Sequence, residues 1–226
     1  MTMFESLNLP DLPKRQRGVL RKPSSTRPTL WIIEENGRRA VVKDYSTNRF
    51  FYRNTIGRFL VWRESKAYRM LVGVQGVPTF YRVIDGLAIV IEEISGQNME
   101  AFQNDEKIPE GFFRELETLV KKIHRHGLVH GDLKRAPNTL VGEDGKPYIV
   151  DWSSSIFEGE FKLYPLNLIY QRLIMDDFNA IIKFKLRLCP ESVSPEEKSR
   201  YYYRSEAEKF ARFIRDKARD LLQRIA

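Results

Sequence analysis

The chain has 226 residues, enough for one ordinary domain or two small lobes sharing a cleft. Hydrophobic residues make up 42% and aromatic residues 12%, which supplies a real core and excludes global disorder. The net charge of +8 favours an anionic partner, and the single cysteine, Cys189, excludes a disulfide framework or a cysteine metal cluster. The N-terminus lacks the basic and apolar stretches of a secretory signal, and no apolar run approaches the ~20 residues of a membrane span. The expected location is cytoplasmic, with any membrane contact peripheral.

Residues 1–28 mix prolines with Lys14, Arg15, Arg17, Arg21 and Lys22, show no periodicity, and read as an extended, mobile N-terminal extension. From Leu30 the pattern changes. Leu30–Ile33 and Ala40–Lys43 flank Asn36-Gly37, a strong hairpin signal. Residues 56–71 carry Phe59, Leu60, Ala67 and Leu71 at helical spacing, with Trp62 and Met70 nearby; Gly73 and Gly76 follow. Phe80–Ile84 and Leu87–Glu92 read as two further strands around Asp85-Gly86.

After Pro109 the residues Phe112, Phe113, Leu116, Leu119, Val120 and Ile123 form one apolar helical stripe, and Gly127 suits its C-terminal end. Thr139–Val141 and Pro147–Val150 predict a hairpin across Glu143–Lys146. The remainder reads as mainly helical, with a helix over Ile169–Leu188 and another opened by a capping box at Ser194-Pro195-Glu196-Glu197. Strands with one helix, then helices with one embedded hairpin, predict an α+β chain. A small antiparallel-sheet lobe over 29–94 joins a helical lobe over 95–226.

The chemistry concentrates in His130-Gly131-Asp132-Leu133-Lys134, in Asn138, and in Asp151 at the end of Tyr148-Ile149-Val150. Two carboxylates and a carboxamide on loops beside a hairpin suit phosphoryl transfer from a metal-bound nucleotide. One carboxylate orients the attacking hydroxyl; the other, with the amide oxygen, holds Mg²⁺. Asp132 is the candidate for the first role, Asp151 and Asn138 for the second. Lys134 is placed to neutralise the transferred phosphate. The histidines 124 and 126 do not share a helical face, which argues against a zinc site.

These residues resemble the protein-kinase-like superfamily, with its H-[RG]-D-x-K-x-x-N loop and a metal-binding Asp on the strand pair after it. The resemblance implies a compact bilobal kinase-like fold using ATP and Mg²⁺. It gives Lys43, ending Ala40-Val41-Val42, the α- and β-phosphates, and Glu64 the task of holding Lys43. Glu92 to Ile94 correspond to the hinge that meets adenine. His130 would brace the loop through backbone hydrogen bonds, and Asp176 or Asp177 would brace it from beneath. The sequence departs from the pattern in three places. Pro137 stands where the metal-binding Asn is usual, so Asn138 requires a one-residue bulge; Trp152-Ser153 replace Phe-Gly after Asp151; and no glycine-rich loop precedes Lys43, leaving Ser24–Thr26 to cover the phosphates.

The short stretch after Asp151 lacks A-P-E. Together with Val42–Tyr45, Gly57–Leu60, Arg63-Glu64, Gly76–Pro78 and His130–Leu133, this resembles the lipopolysaccharide core (Kdo and heptose) kinases. That resemblance implies an anionic sugar-lipid acceptor at the inner membrane, in lipopolysaccharide biosynthesis. The basic C-terminal segment from Lys198 to Arg224 suits either a terminal helix that packs its apolar face on the core with its charges solvated or a peripheral membrane contact, and no nucleic acid is expected. The alternatives are a compact atypical serine/threonine protein kinase, or a catalytically silent scaffold of the same fold.

Overall fold

A computed structural model describes residues 3–102 and 108–202. Its first part is a five-stranded antiparallel sheet of β1 (Gln16–Arg21), β2 (Thr29–Glu35), β3 (Arg38–Asp44), β4 (Phe80–Ile84) and β5 (Ala88–Glu92), in the order β1-β2-β3-β5-β4. Both predicted turns form: Asn36, Gly37, Asp85 and Gly86 take positive φ, as a two-residue turn matching the twist of its strands requires.

Alternation along β3 and β5 sends side chains to two faces, and both faces are buried. Val41, Ile89 and Ile91 face the helical part of the molecule, whereas Ala40, Val42, Ala88 and Val90 face outward. The outer face is sealed by the N-terminal segment, whose Phe4, Leu7 and Leu12 are fully buried against it. Residues before β2 are therefore not the mobile extension expected from their charge. Gln16–Arg21 is an edge strand paired antiparallel with β2, and Arg15 pairs with Glu35 at 2.8 Å. A sheet with apolar residues on both faces needs a second cover, and three apolar side chains ahead of the basic cluster that starts at Lys14 provide it.

Between β3 and β4 one helical turn (Phe50–Tyr52) runs through a π-segment (Arg53–Gly57) into α1 (Arg58–Met70). The continuous helical run starts at Phe50, before the expected residue 56, and the inward face of α1 differs from the expected stripe. Val61, Glu64, Ser65, Ala67 and Tyr68 are buried, while Phe59 and Trp62 are about half exposed. The spacing was helical, but the buried Glu64 rotates the face away from the aromatics.

In the second part, α2 (Phe112–Arg125) buries all six stripe residues and ends at Gly127, with φ 71°. β6 (Gly96–Asn98), β8 (Thr139–Gly142) and β9 (Pro147–Ile149) form a small sheet in the order β6-β8-β9, and β7 (Leu128–Val129) pairs with β10 (Ile156–Phe157). α3 (Leu166–Leu188) and α4 (Pro195–Tyr202) follow. The capping box of α4 forms: Ser194 N donates to Glu197 Oε2 at 2.9 Å, and Glu197 N to Ser194 Oγ at 3.1 Å. Most of the basic C-terminal segment, from Arg204 on, lies outside the described residues. Among the described residues, no helix is long and apolar enough to cross a membrane.

Candidate active site

The sheet and α1 deliver two charged side chains to one buried point. Lys43 Nζ lies 2.8 and 2.9 Å from the two Glu64 carboxylate oxygens and 2.7 Å from Asp151 Oδ1. Lys43 is 5% exposed and Glu64 fully buried. Burial alone would neutralise the Lys43 ammonium, but the Asp151 and Glu64 charges outweigh it and hold its pKa well above the ordinary value. Burial opposes the charge on Asp151 too. The Lys43 charge and hydrogen bond, with Ser153 and His130, reverse that and hold its carboxyl well below the usual range. For Glu64, burial prevails over Lys43 and pushes the carboxyl up. Asp151 has φ 66° and ψ 70°, a left-handed conformation that costs a non-glycine residue about 1–3 kcal/mol; its Oδ1 also accepts the Ser153 hydroxyl at 2.8 Å.

The loop carrying Asp132 is held from several sides. Gly131 has φ 78°, and a Cβ there would stand 2.5 Å from the Ser154 carbonyl, so the backbone approach demands glycine. From α3, buried Asp177 accepts His130 N at 2.9 Å and Gly131 N at 3.3 Å, and its Oδ2 is 3.1 Å from His124 Nε2. This is the brace expected of Asp176 or Asp177. The His130 ring accepts Asp132 N at Nδ1 (3.2 Å), so its Nε2–H donates to the Val150 carbonyl at 3.0 Å.

The bulge required by Pro137 is a 3-10 turn, Ala136–Asn138. It leaves Asn138 buried, with Nδ2 donating to the Asp132 carbonyl at 3.0 Å and its own carbonyl accepting Val150 N at 3.0 Å. Asp132 itself is one-third exposed beside this turn. Lys134 departs from expectation. Its ammonium pairs with Asp176 Oδ1 at 3.0 Å on α3, and it is not among the residues lining the groove next to Asp151. The physical reason is a carboxylate brought close by tertiary packing, invisible to local spacing.

That groove encloses about 500 Å³. Leu20, Leu30 and Val41 from the sheet line it together with Leu140 and Val150 from the hairpin region, which makes that part of the groove apolar. Glu92 and Ile94 line the same groove, but the Glu92 carboxylate turns to Thr79, accepting its N at 2.9 Å and Oγ at 2.7 Å. Next to it the chain lies so close to β8 that a Cβ on Gly96 would collide with the Val141 carbonyl. At the polar end stand Lys43, Asn138 and Asp151, joined by Arg21 and Arg135. Leu20, Leu30 and the two arginines were missed in the sequence; the strand alternation around the 22–28 loop was the available signal for the leucines. The loop is tied down by Asn48 Nδ2, which donates to the Ser24 and Arg27 carbonyls at 2.7 and 3.0 Å.

A carboxylate and an amide oxygen are hard donors that fit Mg²⁺. Asn138 Nδ2 is engaged by Asp132, which leaves its Oδ1 as the atom to meet a cation alongside Asp151.

The RIO domain family matches residues 35–164, a span holding Lys43, Glu64, Asp132, Asn138 and Asp151. No curated protein sequence matches the chain. Among solved structures, the fold is similar to the Rio2 kinase from Chaetomium thermophilum, with TM-score 0.59 and 17% identity over 85% of this chain and 65% of that one. It is also similar to the ADP/Mg²⁺-phosphoaspartate complex of that kinase, with TM-score 0.57 and 18% identity over 85% and 63%. The chain thus spans a little under two thirds of these relatives, and the likeness establishes the α+β kinase-like fold. The lipopolysaccharide core kinases, which the sequence resembled in its short motifs, receive no support. On the match over residues 35–164, the chain belongs to the RIO-domain family.

Proposed function

We propose that this chain is an ATP- and Mg²⁺-dependent phosphotransferase of the atypical protein-kinase type, passing a γ-phosphate to a hydroxyl on a protein. The observation that carries this reading is the buried ammonium of Lys43 shared between Glu64 and Asp151 at the polar end of the groove. Lys43 would bind phosphate oxygens, with Glu64 fixing its position. Asp151 and Asn138 would hold Mg²⁺, which when bound neutralises phosphate charge. Glu92 and Ile94 would border the adenine through backbone groups. Asp132, fixed by His130 and Asn138, would accept the proton of the attacking hydroxyl, so that positioning and electrostatics dominate catalysis. The family match favours a protein acceptor over the sugar-lipid acceptor and membrane contact inferred from the earlier resemblance.

A second reading, hydrolysis of ATP through an aspartyl phosphate, is favoured by the phosphoaspartate in the Chaetomium complex. One experiment addresses both. The chain is incubated with γ-labelled ATP, Mg²⁺ and protein acceptors, and label is followed into protein and into free phosphate. Asp132→Ala is expected to lower transfer by ~10²–10⁴-fold while nucleotide affinity stays within about 3-fold. Label released as phosphate through an acid-stable, hydroxylamine-sensitive enzyme adduct favours hydrolysis. Mg²⁺-dependent nucleotide binding with neither product would mean a silent scaffold, and wild-type turnover in the variant would remove Asp132 from the mechanism.

A further inference from the structure

On the side of the loop that carries Asp132, the phosphate end of the groove is short of free positive charge, since Arg21 stands on β1 in the sheet. The buried cation, Lys43, is already matched by two carboxylates, and Lys134 is taken up by Asp176 while its own carbonyl accepts Lys183 Nζ at 3.0 Å. A nucleotide triphosphate carries about four negative charges, of which one Mg²⁺ offsets two. A further cation is required on the loop side.

Arg135 meets that requirement. It lines the groove together with Lys43, Asn138 and Asp151. Its Nη1 lies 3.5 Å from Asp132 Oδ2, longer than the ~2.7–2.9 Å of a firm charge-assisted hydrogen bond, and its side chain is about half exposed. The guanidinium is therefore held near the candidate catalytic carboxylate without being consumed by it. The backbone explains the placement. Arg135 N donates to the Asp132 carbonyl at 3.2 Å, and the Arg135 carbonyl accepts Asn138 N at 3.0 Å, so Arg135 is the extended residue from which the inserted turn springs. The same extra residue that displaces Asn138 by one position thus puts a planar, always-charged fork beside Asp132.

Resting on the phosphotransferase reading above, we propose that Arg135 takes over the task assigned to Lys134 and binds the terminal phosphate of the nucleotide. When the phosphate arrives, the guanidinium exchanges its weak contact with Asp132 for two N–H···O bonds to the γ-phosphate. This releases Asp132 Oδ2 toward the acceptor hydroxyl. Arg135 is then a phosphate-contacting residue that discriminates a triphosphate from a diphosphate.

The test compares Mg²⁺·ATP and Mg²⁺·ADP affinities by calorimetry for the full chain and for Arg135→Gln, Arg135→Lys and Lys134→Gln. Arg135→Gln is expected to weaken ATP by ~10- to 100-fold, the range for a lost charged pair of bonds, and ADP by less than about 3-fold. Arg135→Lys, a point charge without the fork, is expected to recover part of the ATP affinity. An unchanged ATP-to-ADP ratio in Arg135→Gln overturns the assignment, as does a selective ATP loss that follows Lys134→Gln instead. Failure of the wild-type chain to bind either nucleotide overturns the phosphotransferase reading and the Arg135 assignment with it. Failure confined to the variants' ratio leaves that reading standing.

Discussion

Replacing Lys43 by Met tests the electrostatics at the centre of the molecule. The substitution keeps the side chain's length but removes the ammonium from among three carboxylate oxygens at 2.7–2.9 Å. Glu64, fully buried, and Asp151 then face each other uncompensated. Breaking a buried pair by removing one partner costs about 3–5 kcal/mol, a large share of the 5–15 kcal/mol that holds a typical domain. For a chain of this size that corresponds to a fall of about 6–20 °C in melting temperature.

The sign of the pH dependence follows from the same groups. Burial already pushes the Glu64 carboxyl up, and without Lys43 it rises further. A carboxyl raised in the folded state favours folding while protonated and loses that advantage as pH increases, so the deficit of Lys43→Met grows from pH 5 to pH 8. Urea denaturation followed by circular dichroism at both pH values measures it. The double variant Lys43→Met/Glu64→Gln removes the stranded charge and is expected to recover about half of the loss at pH 8. A single-variant loss below about 1 kcal/mol at pH 8, or one equal at both pH values, would refute the account.

Two other perturbations probe the supports of the site, and one condition probes its charge. Asp177→Ala strips the acceptor from His130 N and Gly131 N and is expected to cost about 2–4 kcal/mol; phosphate transfer should fall through kcat with KM for ATP nearly constant, measured by steady-state assay. Phe4→Ala empties a fully buried position on the outer sheet face and should cost about 3–5 kcal/mol in chemical denaturation, whereas an exposed tail would give almost none. Because Lys43 has a raised folded-state pKa, its contribution is present up to about pH 10.4 and is lost as pH rises further, so wild-type stability should decline above that point and that of Lys43→Met should not follow it as steeply.

Much of the site was legible because its residues sit at fixed distances along the chain from turns and strand ends. Lys43 closes an apolar strand, Asp151 ends another, and the Asn36-Gly37 and Gly127 positions locate the elements that carry them. Asn138 was legible even with its displacement, since Pro137 offers no side-chain ligand. What escaped depends on residues brought together from distant segments. Asp176 captures Lys134 across 42 positions, which no local pattern encodes. Phe4, Leu7 and Leu12 carry no period, and only the two-sided apolarity of Ala88–Ile91 hinted that a second cover existed. Phe59 looked like core because it shares the helical spacing of Leu60, Ala67 and Leu71, whereas the face packed inward is the one that carries Glu64 to Lys43.

The triad also has a temporal side. Lys43 and Glu64 leave the ribosome close together, whereas Asp151 is separated from Lys43 by 108 positions. A chain that ended after the sheet and its helix would contain only one of the two counter-charges of Lys43, and under the proposed function phosphate transfer would require the later strand as well. The order of the chain thus makes the second acidic partner of Lys43 the last member of the cluster to be synthesised.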